Sequence, residues 1–199
     1  MIVNTGTEPE DAQLVARTRD GDLDAYRVLF ERYQRRIYNT VYPLLGSTVE
    51  AEDVTQEAFV KAYQALGSLR EGQAFLAWLY RIAINLARNH TRSRHGLWQS
   101  LDEPVTRGED ARERQYEDTS AIDPEAEAEG HEMQAVVRNA LAQLSPAHRE
   151  VIVLHHLQDV PVEEIARIVG CSEGTVKSRL ARGREVLKRK LRGYVLAEM

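Results

Sequence analysis

The sequence predicts an all-α chain of two small helical domains joined by an acidic flexible linker, the C-terminal domain carrying a helix-turn-helix. Three observations point there. Apolar residues recur three and four apart through 25–44, 49–66, 74–88 and 133–144, and strand-type alternation of aromatic and β-branched residues is absent. Charge is arranged in blocks: the 199 residues sum to −5, yet 96–130 holds eleven acidic residues against three arginines, a net of −8, which leaves +3 for the rest. Finally, Pro161, Gly170 and Ser172 punctuate two short helical patterns in the manner of a start, a stop and a restart.

In chain order, Ser47-Thr48-Val49-Glu50 reads as a capping box. Ser47 is expected to accept from the N–H of Glu50, and the Glu50 carboxylate to reach back to the N–H of Ser47. The helix that follows, Ala51 to Leu66, aligns Val54, Ala58, Phe59, Ala62, Tyr63 and Leu66 on one face and clusters Glu52, Asp53, Gln56 and Glu57 on the other. By composition alone such a cluster is as consistent with a solvated face as with an interface. The next helix, Phe75 to Arg94, interleaves aromatics with arginine and asparagine. Phe75, Trp78, Leu79 and Ile82 read as core. The arginines and asparagines suit single-stranded DNA, because unstacked bases lie on planar groups while cations follow the backbone.

The stretch 96–130 has few large apolar residues beyond Leu97, Trp98, Leu101 and Ile122, too few to fold alone. It therefore separates a domain over 1–95 from one over 131–199, both of plausible size for helical domains. In the second, Pro161 suits a first helical turn, Ile165, Ile168 and Val169 form a buried stripe, and Gly170 ends the helix. Ser172 is placed to cap the next helix, whose Val176 and Leu180 face inward. Thr175, Lys177, Ser178, Arg179 and Arg182 fall on the outer arc, where a helix in a major groove offers hydrogen bonds to bases and cations to phosphates. From Thr175 to Arg192 eight basic residues meet one acidic residue, Glu185. That net charge of +7 is a phosphate-binding footprint and disfavours a merely solvated hairpin.

Other chemistries fit poorly. The single cysteine, Cys171, cannot form an internal disulfide and reads as structural; no signal peptide or membrane span is expected, so the protein is expected to be cytoplasmic. Glu52, Asp53 and Glu57 lie along one helix face without a cation-binding loop, which disfavours a metal-dependent nuclease. His148, His155 and His156 lack a fourth zinc ligand of suitable spacing. No catalytic residue, metal or cofactor is expected. The serious competitor is a helix-turn-helix regulator that binds operator DNA without polymerase.

Four motifs resemble the extracytoplasmic-function sigma factors of bacterial RNA polymerase, in the sigma-70 family, and most of all the envelope-stress subgroup. They are the run from Asp53 to Tyr63, the run from Phe75 to Asn85, Leu144 to Val151, and Glu163-Glu164-Ile165-Ala166 followed by Gly174 to Arg179. The resemblance implies a non-enzymatic promoter-specificity factor. It implies that Glu52, Asp53, Gln56 and Glu57 dock on the clamp helices of the polymerase largest subunit, and that the last domain takes the flap of the second-largest subunit. The loop 67–73 and the helix after it would hold the minus-10 element, through Arg70, Trp78, Asn85, Arg88, Asn89 and Arg92. Ser172, Thr175, Lys177, Ser178, Arg179 and Arg182 would read the minus-35 element. An anti-sigma factor is implied as a further partner, since no sensory extension follows Met199. Many members carry an acidic residue near Asn89, and this sequence departs from that pattern.

Overall fold

The computed structural model describes residues 10–70, 74–98, 133 and 135–195, and the side chains of all of these except 93–98 and 193–195. The linker expected over 96–130 lies outside the described residues apart from the helix end reaching Trp98. Every regular element among the described residues is helical.

Helix α1, Asp11–Arg19, was not expected from the periodicity. It is short, with Leu14 and Val15 buried beneath it. Asp11 ties it to α2, Leu23–Leu45, by accepting from Arg32 at 2.7 Å and from the Tyr33 hydroxyl at 2.5 Å. Burial and that carboxylate push the Tyr33 pKa up to about 12. Asp22 caps α2 by accepting from the Ala25 N–H, and the helix carries Pro43 in its last turn before Gly46, at φ 74°, turns the chain.

Helix α3, Thr48–Ala65, begins with the first half of the expected capping box. Ser47 Oγ accepts from the Glu50 N–H at 3.4 Å, while the Glu50 carboxylate sits 3.9 Å from His90 Nδ1 of the next helix. Its buried face is Ala51, Val54, Thr55, Ala58, Phe59 and Ala62. Tyr63 departs from the expected face: it is 43% exposed at the edge of the stripe, its ring resting 5.1 Å from that of Tyr26. Thr55 takes an inner position because its hydroxyl is satisfied by the Ala51 carbonyl at 2.7 Å.

A single 3₁₀ turn, Leu66–Ser68, leads toward α4, Phe75–Trp98. Arg19 of α1 holds this turn by donating to the carbonyls of Leu66, at 3.0 Å, and Leu69. Helix α4 runs three residues past the expected domain boundary at 95. The C-terminal half comprises α5 over 135–142, α6 from Pro146 to Ile152, a π-helical turn Val153–Leu157, α7 from Val162 to Val169, and α8 from Glu173 to Val195. Pro146 occupies the first helical position, where its missing N–H costs no bond.

Leu29, Ile37, Val54, Ala58, Leu79 and Ile84 centre the first half; Val151, Leu154, Ile165, Val176 and Leu180 centre the second. The two halves touch. Helix α4 lies against α7, and α2 against α6 and the π turn, so their buried residues join in one apolar cluster.

Within the second half α8 crosses α6 at Gly183, where an added Cβ would come 2.8 Å from Ile152 Cγ1. Ile152 is buried and β-branched, so it has little freedom to withdraw. Gly183→Ala gains about 1 kcal/mol of helix propensity, but overpacking costs about 1–3 kcal/mol. The expected outcome is a lower denaturation midpoint for the C-terminal half by thermal unfolding; an unchanged or raised midpoint would show that α6 and α8 can part freely.

Candidate nucleic-acid interface

The helix-turn-helix is built by local chemistry. Helix α7 buries Ile165, Ile168 and Val169, and Pro161 stands one position earlier than a first-turn residue, as its N-cap. Gly170, at φ 75°, lets the chain turn while its N–H and that of Cys171 both reach the Ala166 carbonyl. Ser172 Oγ accepts from the Thr175 N–H at 3.2 Å and shares a 2.9 Å bond with the Thr175 hydroxyl.

Two residues expected at the minus-35 element thus cap one another at the start of α8. Lys177, Ser178 and Arg182 stand fully outward, as expected. Lys177 lies 3.5 Å from Glu173, both well solvated, a weak pair that a phosphate can replace. Arg179 is half-buried, its guanidinium 3.9 Å from Cys171 Sγ. Cys171 packs against the core as expected for a structural thiol.

On α4 one side is buried. Phe75, Leu79 and Trp78, the last 9% exposed, lie in the core, and Ile82 packs beside them half-buried. The Trp78 ring, expected at the minus-10 element, packs 6.1 Å from that of Phe75. Arg81, Asn85, Asn89 and Arg92 are exposed. Spaced four, four and three apart, they form one polar stripe. Arg70 is exposed beyond the turn that Arg19 holds. Arg88, on the flank of the stripe, does not face solvent freely: it makes a two-pronged ion pair with Glu150 of α6, at 2.7 and 2.6 Å, and the bond to Glu150 raises its pKa.

On α3 Asp53, Gln56 and Glu57 are exposed and Glu52 is half-buried. Glu57 pairs with Lys61 at 2.8 Å on the surface. The spacing adds a residue not expected there: Val60, 55% exposed, continues the row 53, 56, 57, 60.

Two further residues went unassigned by sequence reasoning although they stand in the motif from Leu144 to Val151. Arg149 donates to the carbonyls of Leu141, Ala142, Leu144 and, across the halves, Leu44; burial lowers its pKa from the ordinary guanidinium value. Glu150 is buried in the partnership with Arg88. The available signal was a glutamate directly before the apolar run Val151-Ile152-Val153-Leu154, a position that only a paired charge tolerates.

Each histidine weighed as a zinc ligand has a protein partner: His148 with Ser145, His155 with the Val160 carbonyl, His156 with Arg184. Among the described residues no group of three His, Cys, Asp or Glu could hold a metal ion, and no helix is long and apolar enough to cross a membrane.

Comparison with known proteins is consistent across the chain. Residues 29–96 match the family model for sigma-70 region 2, and 134–187 match that for sigma-70 region 4. The chain is 38% identical over 189 residues to the RNA polymerase sigma-H factor of Pseudomonas aeruginosa, covering 93% of this chain and 95% of the relative. It is 36% identical to the extracytoplasmic-function sigma-E factor of Escherichia coli, covering 93% and 96%. Among solved structures, the sigma factor RpoE of Bartonella quintana, crystallised with the anti-sigma factor NepR, is similar at a TM-score of 0.67 and 26% identity, covering 84% of this chain and 96% of that one.

The His156 pair yields a pH prediction. Desolvation of the ring, then the neighbouring His155 and the donating Arg184, hold its pKa below the usual histidine value. The unfolded chain then binds a proton more readily than the folded one, so stability falls as pH drops through the ordinary histidine range. Urea midpoints should decrease between about pH 7 and about pH 5.5, and His156→Gln, which keeps an acceptor for Arg184, should lessen the decrease. An equal decrease in the variant assigns the effect elsewhere.

Proposed function

We propose, for a chain that belongs to the extracytoplasmic-function sigma factors of the sigma-70 family and so directs promoter recognition by RNA polymerase without chemistry of its own, which of its surfaces does what. The domain over 1–95 holds polymerase and the melted minus-10 element, and the domain over 131–199 reads the minus-35 element. The protein works in the cytoplasm with core polymerase, and an anti-sigma factor restrains it; the structural relative crystallised with NepR supports that partner.

The observation that carries this reading is the polar stripe on α4. A helix whose opposite side is buried to the core presents Asn85, Asn89 and Arg92 on a surface that cannot rotate away. Amide side chains offer both donors and acceptors to the edge of an unstacked base, and guanidinium groups meet phosphates. Flipping a base out costs a few kcal/mol, which such contacts offset, so the protein traps an opening that polymerase helps to make. Arg70 extends this surface, and Trp78 holds α4 in place from within.

Helix α8 enters the major groove with Lys177, Ser178 and Arg182 outward, while α7 crosses the backbone. Ser172 and Thr175 set the start of α8 and hence its angle to the groove. Asp53, Gln56 and Glu57, with Val60 added, meet the clamp helices; Glu52 stands at the edge of that contact. The acidic linker, at net −8, resembles a nucleic acid in charge and suits a channel that holds one.

Run-off transcription with purified core polymerase on a pool of promoter fragments tests the whole assignment. Discrete new start sites sharing two spaced elements are expected; footprinting of duplex DNA by the protein alone, with no dependence on polymerase, would favour an operator-binding regulator. Glu57→Ala should fold normally and bind polymerase roughly fivefold more weakly, the scale of about 1 kcal/mol for one contact; a variant that unfolds would place this side chain inside. Arg182→Ala should weaken promoter binding and flatten its logarithmic salt dependence by about one unit of slope, and an unchanged slope removes it from the phosphate contacts.

A further inference from the structure

The contact between the two halves has a geometry that the DNA-reading assignment does not call for. Arg88 of α4 and Glu150 of α6 are 62 residues apart, yet the guanidinium meets both carboxylate oxygens, at 2.7 and 2.6 Å. The Glu150 side chain is 6% exposed and that of Arg88 31%. Other polar bonds cross the same boundary, among them one from Arg88 itself to the Val169 carbonyl of α7 at 3.5 Å. Arg149 donates to the Leu44 carbonyl at 3.2 Å, the Tyr80 hydroxyl to Gln158 Oε1 at 3.0 Å, and Arg138 to the Tyr42 hydroxyl at 2.7 Å.

Beside the ion pair lies a cleft of about 570 Å³, to which α4 contributes Arg88 and Arg92 and the helix-turn-helix contributes Cys171 and Arg179. Arginines assigned to two different promoter elements thus face one small space. Elements at minus-10 and minus-35 lie some 25 base pairs apart, about 85 Å along the duplex at about 3.4 Å per base pair. Their readers cannot remain in contact while both are occupied.

We propose that Glu150 is a latch that keeps the free protein closed by occupying Arg88, the same guanidinium that meets the melted strand once the halves part. The planar fork of arginine fits a carboxylate and a phosphate equally well and serves one at a time. In the closed state Glu150 holds it, and the turn of the helix-turn-helix lies over that part of the α4 stripe. Opening frees Arg88 for DNA and returns Glu150 to water, where its charge needs no partner. Polar contacts suit such exchange, since interfaces between domains of one chain are by default separable. Strand binding by the free protein is reduced by the fraction that is open. The latch therefore discourages DNA binding before polymerase has separated the halves. This inference rests on the assignment of Arg88 to the melted element.

The test uses the full chain with Glu150→Gln, which removes the charge and keeps the shape, and Tyr80→Phe, which removes a different bond across the same boundary. Small-angle scattering of the free proteins reads closure without DNA or polymerase. Fluorescence anisotropy with a single-stranded oligonucleotide, carrying the minus-10 sequence mapped by run-off transcription, reads strand binding. Both variants are expected to be more extended than the parent, and Glu150→Gln to bind the oligonucleotide about tenfold more tightly, an ordinary size for coupling between sites. Promoter affinity of the preassembled holoenzyme should stay unchanged. Scattering identical to the parent for both variants overturns the latch. Extension without any gain in strand affinity overturns the competition for Arg88. Full promoter opening by holoenzyme carrying Arg88→Ala would instead locate the failure in the assignment of Arg88 to DNA.

Discussion

The placement of Glu150 inside the protein constrains much of what surrounds it. An ionised carboxylate removed from water costs several kcal/mol unless it is paired and hydrogen-bonded. Here the requirement is met by Arg88, reaching from the other half of the chain with both arms of its guanidinium. That pairing ties α6 to α4 and withholds this arginine of α4 from solvent, beside the apolar contacts that pack α4 against α7 and α2 against α6.

Elsewhere the architecture follows from burying one side of each helix. Helix α4 places Phe75, Trp78 and Leu79 inside, and the stripe of Asn85, Asn89 and Arg92 is thereby held outward in a fixed row. Helix α3 does the same for Asp53, Gln56 and Glu57, with Val60 left uncovered beside them. A rigid scaffold of this kind spares its functional side chains much of the ordering cost of binding. Backbone groups that helix ends would leave unpaired are met by side chains: Asp22, Ser47 and Ser172 at starts, Arg19 and Arg149 at carbonyls near the ends. Ser172 and Thr175 fix the first turn of α8 and so the direction in which that helix leaves the turn.

Helical class, the helix-turn-helix, the acidic face and the polar face of α4 were legible in the sequence because each depends on spacing within a single helix or on a cap a few residues away. Gly170 and Ser172 act on their immediate neighbours, and Val176 and Leu180 repeat at the helical period, so residue order suffices to read them. Helix α1 was missed because it is only nine residues long and its apolar stripe is weak; its place depends on Asp11 reaching Arg32 and Tyr33 of another helix. Tyr63 was set on the wrong side of a boundary that residue order does not draw sharply, a large amphipathic ring at the margin of a stripe.

What the sequence by itself determined is therefore local: which segments are helical, which face of each is apolar, and which charges share a face. Tertiary structure alone decided the pairing of Arg88 with Glu150, the bond from Arg149 to the Leu44 carbonyl, and the close approach of α8 to Ile152 at Gly183. Those features join residues many positions apart. Their energies come from burial and from the distance between groups that packing brings together, quantities that do not exist until the helices have met.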